Sequence, residues 1–90
     1  MREFYLIYYT TKNDTQLSSI IRGMGAYFNF EKGCWIISSK LSIDSINQRI
    51  IPYFDKRKER LLILNIKIEE AKGWHKKEVW DWIRQQRLVN

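Results

Sequence analysis

One cysteine, one histidine, one proline and four glycines are all that the 90 residues hold of the types that most often mark chemistry or break a chain. Cys34 has no partner for an intrachain disulfide and no sulfur-rich neighbourhood for a zinc site; set in an apolar run, it reads as a buried thiol of a reducing compartment. His75 stands alone, so no histidine pair or catalytic triad can come from one chain. Gly23, Gly25, Gly33 and Gly73 match neither the phosphate-loop nor the dinucleotide spacing, which excludes the common nucleotide cofactors. No cofactor is expected. No apolar run reaches the roughly 18 residues of a membrane helix, and Met1-Arg2-Glu3 opens no secretion signal, so the expectation is a cytoplasmic protein with no membrane partner.

Positive charge is in excess, with 16 Lys and Arg against 10 Asp and Glu and a net charge of +6. Residues 1–54 carry six basic and four acidic side chains, and residues 55–90 carry ten and six. A basic balance favours polyanionic partners such as nucleic acid or acidic protein surfaces. Apolar residues make up 44% of the chain, enough for a single domain over 1–90. A core this small is marginal, because a chain of this length buries only about 60 to 65% of the surface its unfolded form exposes.

Periodicity orders the elements. Phe4–Tyr9 is apolar on both alternating sets, Phe4/Leu6/Tyr8 and Tyr5/Ile7/Tyr9, which predicts a central strand. Asp14 or Thr15 is placed to cap a helix carrying Leu17, Ile20, Ile21 and Met24 on one face, with Gly25 as its stop. Residues 26–31 read as an edge strand, joined by a Lys32-Gly33 turn to a strand at 34–39. Ser38 and Ser39 look like a solvated strand end. Ser42 predicts a helix start, with Asp44 in its first turn, Leu41 as staple to Ile46, and Ile43, Ile46, Ile50 and Phe54 as its buried stripe. Pro52 should end it near Ile51. After the charged turn 55–60, residues 61–68 predict a fourth strand. A last helix, within about 74–88, carries Val79, Trp80 and Ile83 on one side.

The order βαββαβ plus a helix predicts an α+β fold of the ferredoxin-like kind, an antiparallel sheet with both core helices on one face (core 3–68) and a C-terminal Trp-rich helix. Such a sheet leaves its second face bare. Tyr5, Ile7, Tyr9, Leu61 and Ile63 are assigned to that face, and a homodimer packing sheet to sheet is expected to cover it, unless the last helix does.

The blocks Tyr5-Leu6-Ile7-Tyr8-Tyr9, Gly25-Ala26, Trp35-Ile36-Ile37, Ile51-Pro52-Tyr53-Phe54-Asp55 and Arg60-Leu61-Leu62-Ile63, with Gly73-Trp74 and Trp80 in the tail, span most of the chain. In this set the chain resembles the small CRISPR-associated ferredoxin-fold family that forms the dimeric core of the spacer-acquisition integrase and includes endoribonuclease-like members. Its stand-alone relatives are the nearer match. The resemblance implies fold and dimer. It also implies that nucleases of the family place a metal-binding aspartate directly after the tyrosine ending the first strand, where paired carboxylates can hold a divalent ion. Thr10 stands there in this chain, so no catalytic or metal-ligating residue is assigned and the protein reads as leaning away from enzymes.

What remains is surface. Lys56, Arg57, Lys58 and Arg60 cluster in one turn and are assigned as nucleic-acid phosphate contacts, with Lys12, Lys76 and Lys77 as secondary ones. Trp82 lies off the apolar stripe of the last helix, where it either closes the bare sheet face or meets a partner, and Trp74 precedes that helix; both are assigned as anchors for a protein partner. The first expectation is a non-catalytic dimer that binds DNA or RNA backbone. The second is a regulator or inhibitor in a phage-defence or anti-defence setting, acting through its basic and Trp-bearing surface. The third is a divergent metal-dependent nuclease acting through Asp14.

Overall fold

A computed structural model describes residues 1–89, with side chains through Arg87. The strands are β1 (Glu3–Thr10), β2 (Ala26–Glu31), β3 (Cys34–Ser39) and β4 (Arg60–Ile66); the helices are α1 (Asp14–Arg22), α2 (Ile43–Ile50) and α3 (Lys77–Val89). All strand pairs are antiparallel, in the order β2-β3-β1-β4, so the two middle strands are the ones with apolar residues on both faces. None of the helices among the described residues is long and apolar enough to cross a membrane.

Local signals set most boundaries. The Ser42 hydroxyl accepts the Ser45 amide at 3.1 Å and caps α2. Pro52 cannot donate to a helical ladder, and α2 gives way after Ile50 to a 3-10 turn over Ile51–Tyr53. α1 departs from expectation at both ends. Asn13 precedes it without a side-chain cap, because its amide nitrogen donates to the Tyr53 carbonyl at 2.9 Å. The helix closes at Gly23, not Gly25. Gly25 serves the sheet instead: a Cβ there would lie 2.2 Å from the Ser38 carbonyl oxygen, so only glycine permits that approach. β4 stops at Ile66, short of Ile68, and α3 begins only at Lys77.

One face of the sheet is the core. Tyr5, Ile7, Tyr9, Trp35 and Ile37 pack with Leu17 and Ile21 of α1 and Ile46 and Ile50 of α2, and Leu61 and Ile63 lie against the same cluster. The expected dimer face of Tyr5, Ile7, Tyr9, Leu61 and Ile63 is therefore the inner, helix-covered face. Alternation separates two sets of residues but cannot say which set meets the helices. The tyrosine hydroxyls show why this one does: Tyr5 donates to the Leu41 carbonyl at 2.7 Å and Tyr9 to Asp14 Oδ1 at 2.6 Å, both in the chain that leads into or forms the helices.

The other set, Phe4, Leu6, Tyr8, Ile36, Leu62 and Leu64, makes the outer face. α3 lies against its β2 side and covers it in part. Trp82 meets Phe4 and Phe28 edge-on or tilted, at centroid distances of 6.4 and 6.1 Å. Val79 and Gln86, three residues before Trp82 and four after it, are buried beside it. The sheet-facing stripe of α3 thus runs through Trp82, and the expected stripe of Val79, Trp80 and Ile83 is displaced by part of a turn.

Three smaller expectations also change. Ile43, placed in the buried stripe of α2, is 37% exposed at the open β4 edge. Ser38 and Ser39 are fully buried rather than solvated. Ser39 Oγ donates to the Met24 carbonyl at 2.6 Å and accepts the Leu41 amide at 3.1 Å, whereas Ser38 Oγ has no partner among the described residues. Cys34 is half-buried, with burial and the nearby Glu31 charge raising its pKa.

Candidate polyanion-binding end of the sheet

Antiparallel order brings four separate segments to the end where β1 leaves the sheet. Thr10 is in register with Arg60, and Tyr8 with Cys34, so the β1–α1 loop, the Lys32-Gly33 turn and the turn before β4 are neighbours. The His75 ring stands 5.8 Å from that of Phe30, near the end of β2, which brings the entry to α3 to the same end. Lys12, Lys32, Lys56, Arg57, Lys58, Arg60, Lys76 and Lys77 are all exposed there.

The turn at 55–59 explains why its cations are unengaged. Asp55 Oδ1 accepts the Arg57 amide at 3.0 Å, and the Asp55 carbonyl accepts the amides of Lys58 and Glu59. Glu59 folds back: Oε1 accepts the Asp55 amide at 2.8 Å and Oε2 the Lys12 amide at 2.7 Å. These two backbone donors hold the Glu59 carboxyl below its ordinary pKa, the Asp55 amide contributing most. Asp55 Oδ1 and both Glu59 oxygens thus accept amides, and among the described residues none of Lys56, Arg57 and Lys58 forms an ion pair with either carboxylate. Among the described residues the ion pairs are Lys77–Asp81 at 3.1 Å and Arg84–Asp81 at 3.6 Å, both on α3. Lys77 is therefore already paired, and the six cations from Lys12 to Arg60 at this end are not.

Beside the turn lies a cavity of about 510 Å³, lined by Tyr9, Thr10, Thr11, Lys12, Asp14, Lys32, Gly33, Lys58 and Glu59. Two carboxylates therefore do reach the exit of β1, through Asp14 in the chain just beyond it and Glu59 from across the sheet. Asp14 is not the helix cap expected. Its Oδ1 accepts from Tyr9 Oη at 2.6 Å and from Ser18 Oγ at 3.4 Å, while Tyr9 Oη accepts the buried Trp35 Nε1–H at 3.0 Å. Trp35, Tyr9 and Asp14 form a relay that ties the core to the start of α1. Burial first, and the bond to Asp14 second, raise the Tyr9 pKa. Among the described residues no group of three His, Cys, Asp or Glu side chains is placed to hold a metal ion.

The two tryptophan assignments part company. Trp82 packs against Phe4 and Phe28 on the outer face and is half-buried there. Trp74 is 95% exposed and keeps the role of partner anchor open. Lys32 reads in the sequence only as half of a turn, and nothing local links it to Lys58; the signal is the hairpin itself, which returns residue 32 to the end where residue 10 exits.

No family model, curated protein or solved structure matches this chain, so its sheet end stands on its own geometry.

Proposed function

We propose that the protein is a ferredoxin-like, non-catalytic module that binds nucleic-acid backbone, related to the CRISPR-associated phage-defence proteins that its strand and helix blocks resemble. The strand order β2-β3-β1-β4, with α1 and α2 on one face, supports the ferredoxin-like description. The observation that carries the function is the 55–60 turn: its acids are bound to backbone amides, and its four cations are exposed without ion pairs among the described residues. Lys56, Arg57, Lys58 and Arg60 are the primary phosphate contacts; Lys12 and Lys76 flank them, and Lys77 contributes less because Asp81 holds it. Engagement of Asp14 by Tyr9 and Ser18, and Thr10 at the strand exit, support a binding role over metal-dependent cleavage.

Binding of this kind releases counterions. For four phosphate contacts, log K should fall with log salt at a slope of about −3 to −4, shallower on single strands than on duplex. Each Lys or Arg to Gln change in the turn should reduce the slope by roughly 1. A chain with no salt-sensitive retention of short DNA or RNA at low ionic strength overturns the reading.

The homodimer belongs on the outer face. Tyr8, Leu62 and Leu64 are 50%, 48% and 41% exposed beside the uncovered β4 edge, and cross-strand register makes them one patch with Leu6. A second copy seated there would close it, and Leu64→Asp should then leave a monomeric mass in solution. A competing reading, a regulator that occupies a protein partner, is favoured by the exposure of Trp74. Trp74→Ala separates the two, since only that reading predicts loss of a protein complex with nucleic-acid retention unchanged.

A further inference from the structure

The cavity at the exit of β1 differs from the open turn beside it in having a floor. Tyr9 and Gly33 are buried, and the Tyr9 amide donates to the Gly33 carbonyl at 2.8 Å. A Cβ on Gly33, whose φ is +81°, would lie 2.2 Å from the Tyr9 carbonyl oxygen, so only glycine lets the turn lie this close to the β1 backbone. Lys12, Lys32, Lys58 and Thr10 are among the residues that line the cavity. Asp14 and Glu59 also line it: Asp14 Oδ1 accepts Tyr9 Oη and Ser18 Oγ, and the two Glu59 oxygens accept the amides of Lys12 and Asp55, so three lysines stand against two hydrogen-bonded carboxylates and the lining keeps a net charge of one positive. The donors still free are cationic or hydroxylic. The uncapped first turn of α1 begins on the same wall.

We propose that this cavity receives the phosphorylated end of a nucleic-acid strand, with the terminal phosphate monoester among Lys12, Lys32, Lys58 and the Thr10 hydroxyl. The inference rests on the backbone-binding reading and names the part of the polymer that this site selects. A phosphate monoester carries about −1.5 to −2 charge at neutral pH and three acceptor oxygens. An internal diester carries one charge and two free oxygens, so against a lining with three lysines the end has one more acceptor to pair than the diester has. A volume of about 510 Å³ exceeds what a bare phosphate fills and falls in the range of sites that hold a nucleotide-sized ligand. The turn cations then lie along the path of the following backbone.

The test uses the full chain and ten-nucleotide strands, labelled at one end and bearing either a phosphate or a hydroxyl at the other, in both 5′ and 3′ series. Fluorescence anisotropy at fixed salt should show roughly tenfold tighter binding of the phosphorylated strand in at least one series. Lys32→Gln should erase that difference while leaving the hydroxyl strand's affinity within about twofold, and Lys32→Arg should keep most of it. Lys32 is exposed in a turn, so an unchanged melting temperature is expected for both variants. Lys56→Gln should weaken all strands alike. Equal affinity for phosphorylated and hydroxyl strands, or a Lys32→Gln loss that is the same for both, overturns the proposal and leaves backbone binding standing. Absence of salt-sensitive binding to any strand overturns both.

Discussion

The two faces of the sheet are built from nearly the same residue types and end differently. On the inner face, Ile7 and Ile37 are fully buried under α1 and α2, and Tyr5, Tyr9 and Trp35 bury their rings while their polar atoms find partners. On the outer face, Phe4 is buried beneath Trp82, but Tyr8, Leu62 and Leu64 on the β4 side stay half exposed. The difference lies in what covers each face. Two helices with aliphatic stripes fill the inner side, and one helix, entered late at Lys77, reaches only the β2 side of the outer one. Apolar content alone therefore does not mark the core of this molecule.

The largest test of that contrast is a matched pair of truncations. Ile7→Ala should cost about 2 to 5 kcal/mol, because it leaves a cavity between sheet and helices. Leu64→Ala, on the half-exposed patch, should cost about 1 kcal/mol or less in the monomer. Urea unfolding of the two variants at low protein concentration compares them directly. Equal costs would mean that the outer face is covered as well as the inner one.

Next in size is Tyr9→Phe, which should destabilise by about 1 to 3 kcal/mol because the buried Trp35 Nε1–H loses its acceptor and Asp14 loses its donor. The pH dependence has a definite sign. Burial and Asp14 raise the Tyr9 pKa above its ordinary value of 10.0 in the folded state. Its stabilisation is therefore complete below pH 10 and declines as pH rises from there through the raised folded value. The stability gap between wild type and Tyr9→Phe should be constant through neutral pH and narrow above 10. A gap that widens with alkalinity would show that Tyr9 ionises more readily in the fold.

The smallest test sets the adjacent serines of β3 against each other. Ser39→Ala removes the Oγ that links Met24 and Leu41 and should cost about 1 to 2 kcal/mol. Ser38→Ala removes a buried hydroxyl with no partner among the described residues and should be neutral or slightly stabilising. If both changes cost the same, Ser38 has a partner in solution on the outer face.

Much of the fold is legible in the chain because its signals are local. Ser42 caps α2 through its own side chain, Pro52 ends it through a missing amide proton, and Lys32-Gly33 turns a hairpin. The double-faced pattern of residues 4–9 and 34–39 marks the two middle strands. The candidate site is less legible. Lys56, Arg57, Lys58 and Arg60 stand out as a run, but that their acidic neighbours are bound to amides of residues 12, 55 and 57 is invisible without the turn's geometry. Asp14 looks like a cap by spacing, and only the position of the Tyr9 hydroxyl reassigns it. Spacing alone runs the apolar stripe of α3 through Trp80, and only the positions of Phe4 and Phe28 run it through Trp82.

By itself the sequence determined the order of the elements, the identity of the middle strands and the excess of positive charge. These follow from period, caps and composition, each read within about ten residues. Tertiary structure decided which face of the sheet is the core, whether Trp82 packs inward, and that Lys12, Lys32 and Lys58 line one cavity. Those outcomes depend on contacts between residues tens of positions apart, and alternation along a strand is symmetric until a helix has been laid on one side.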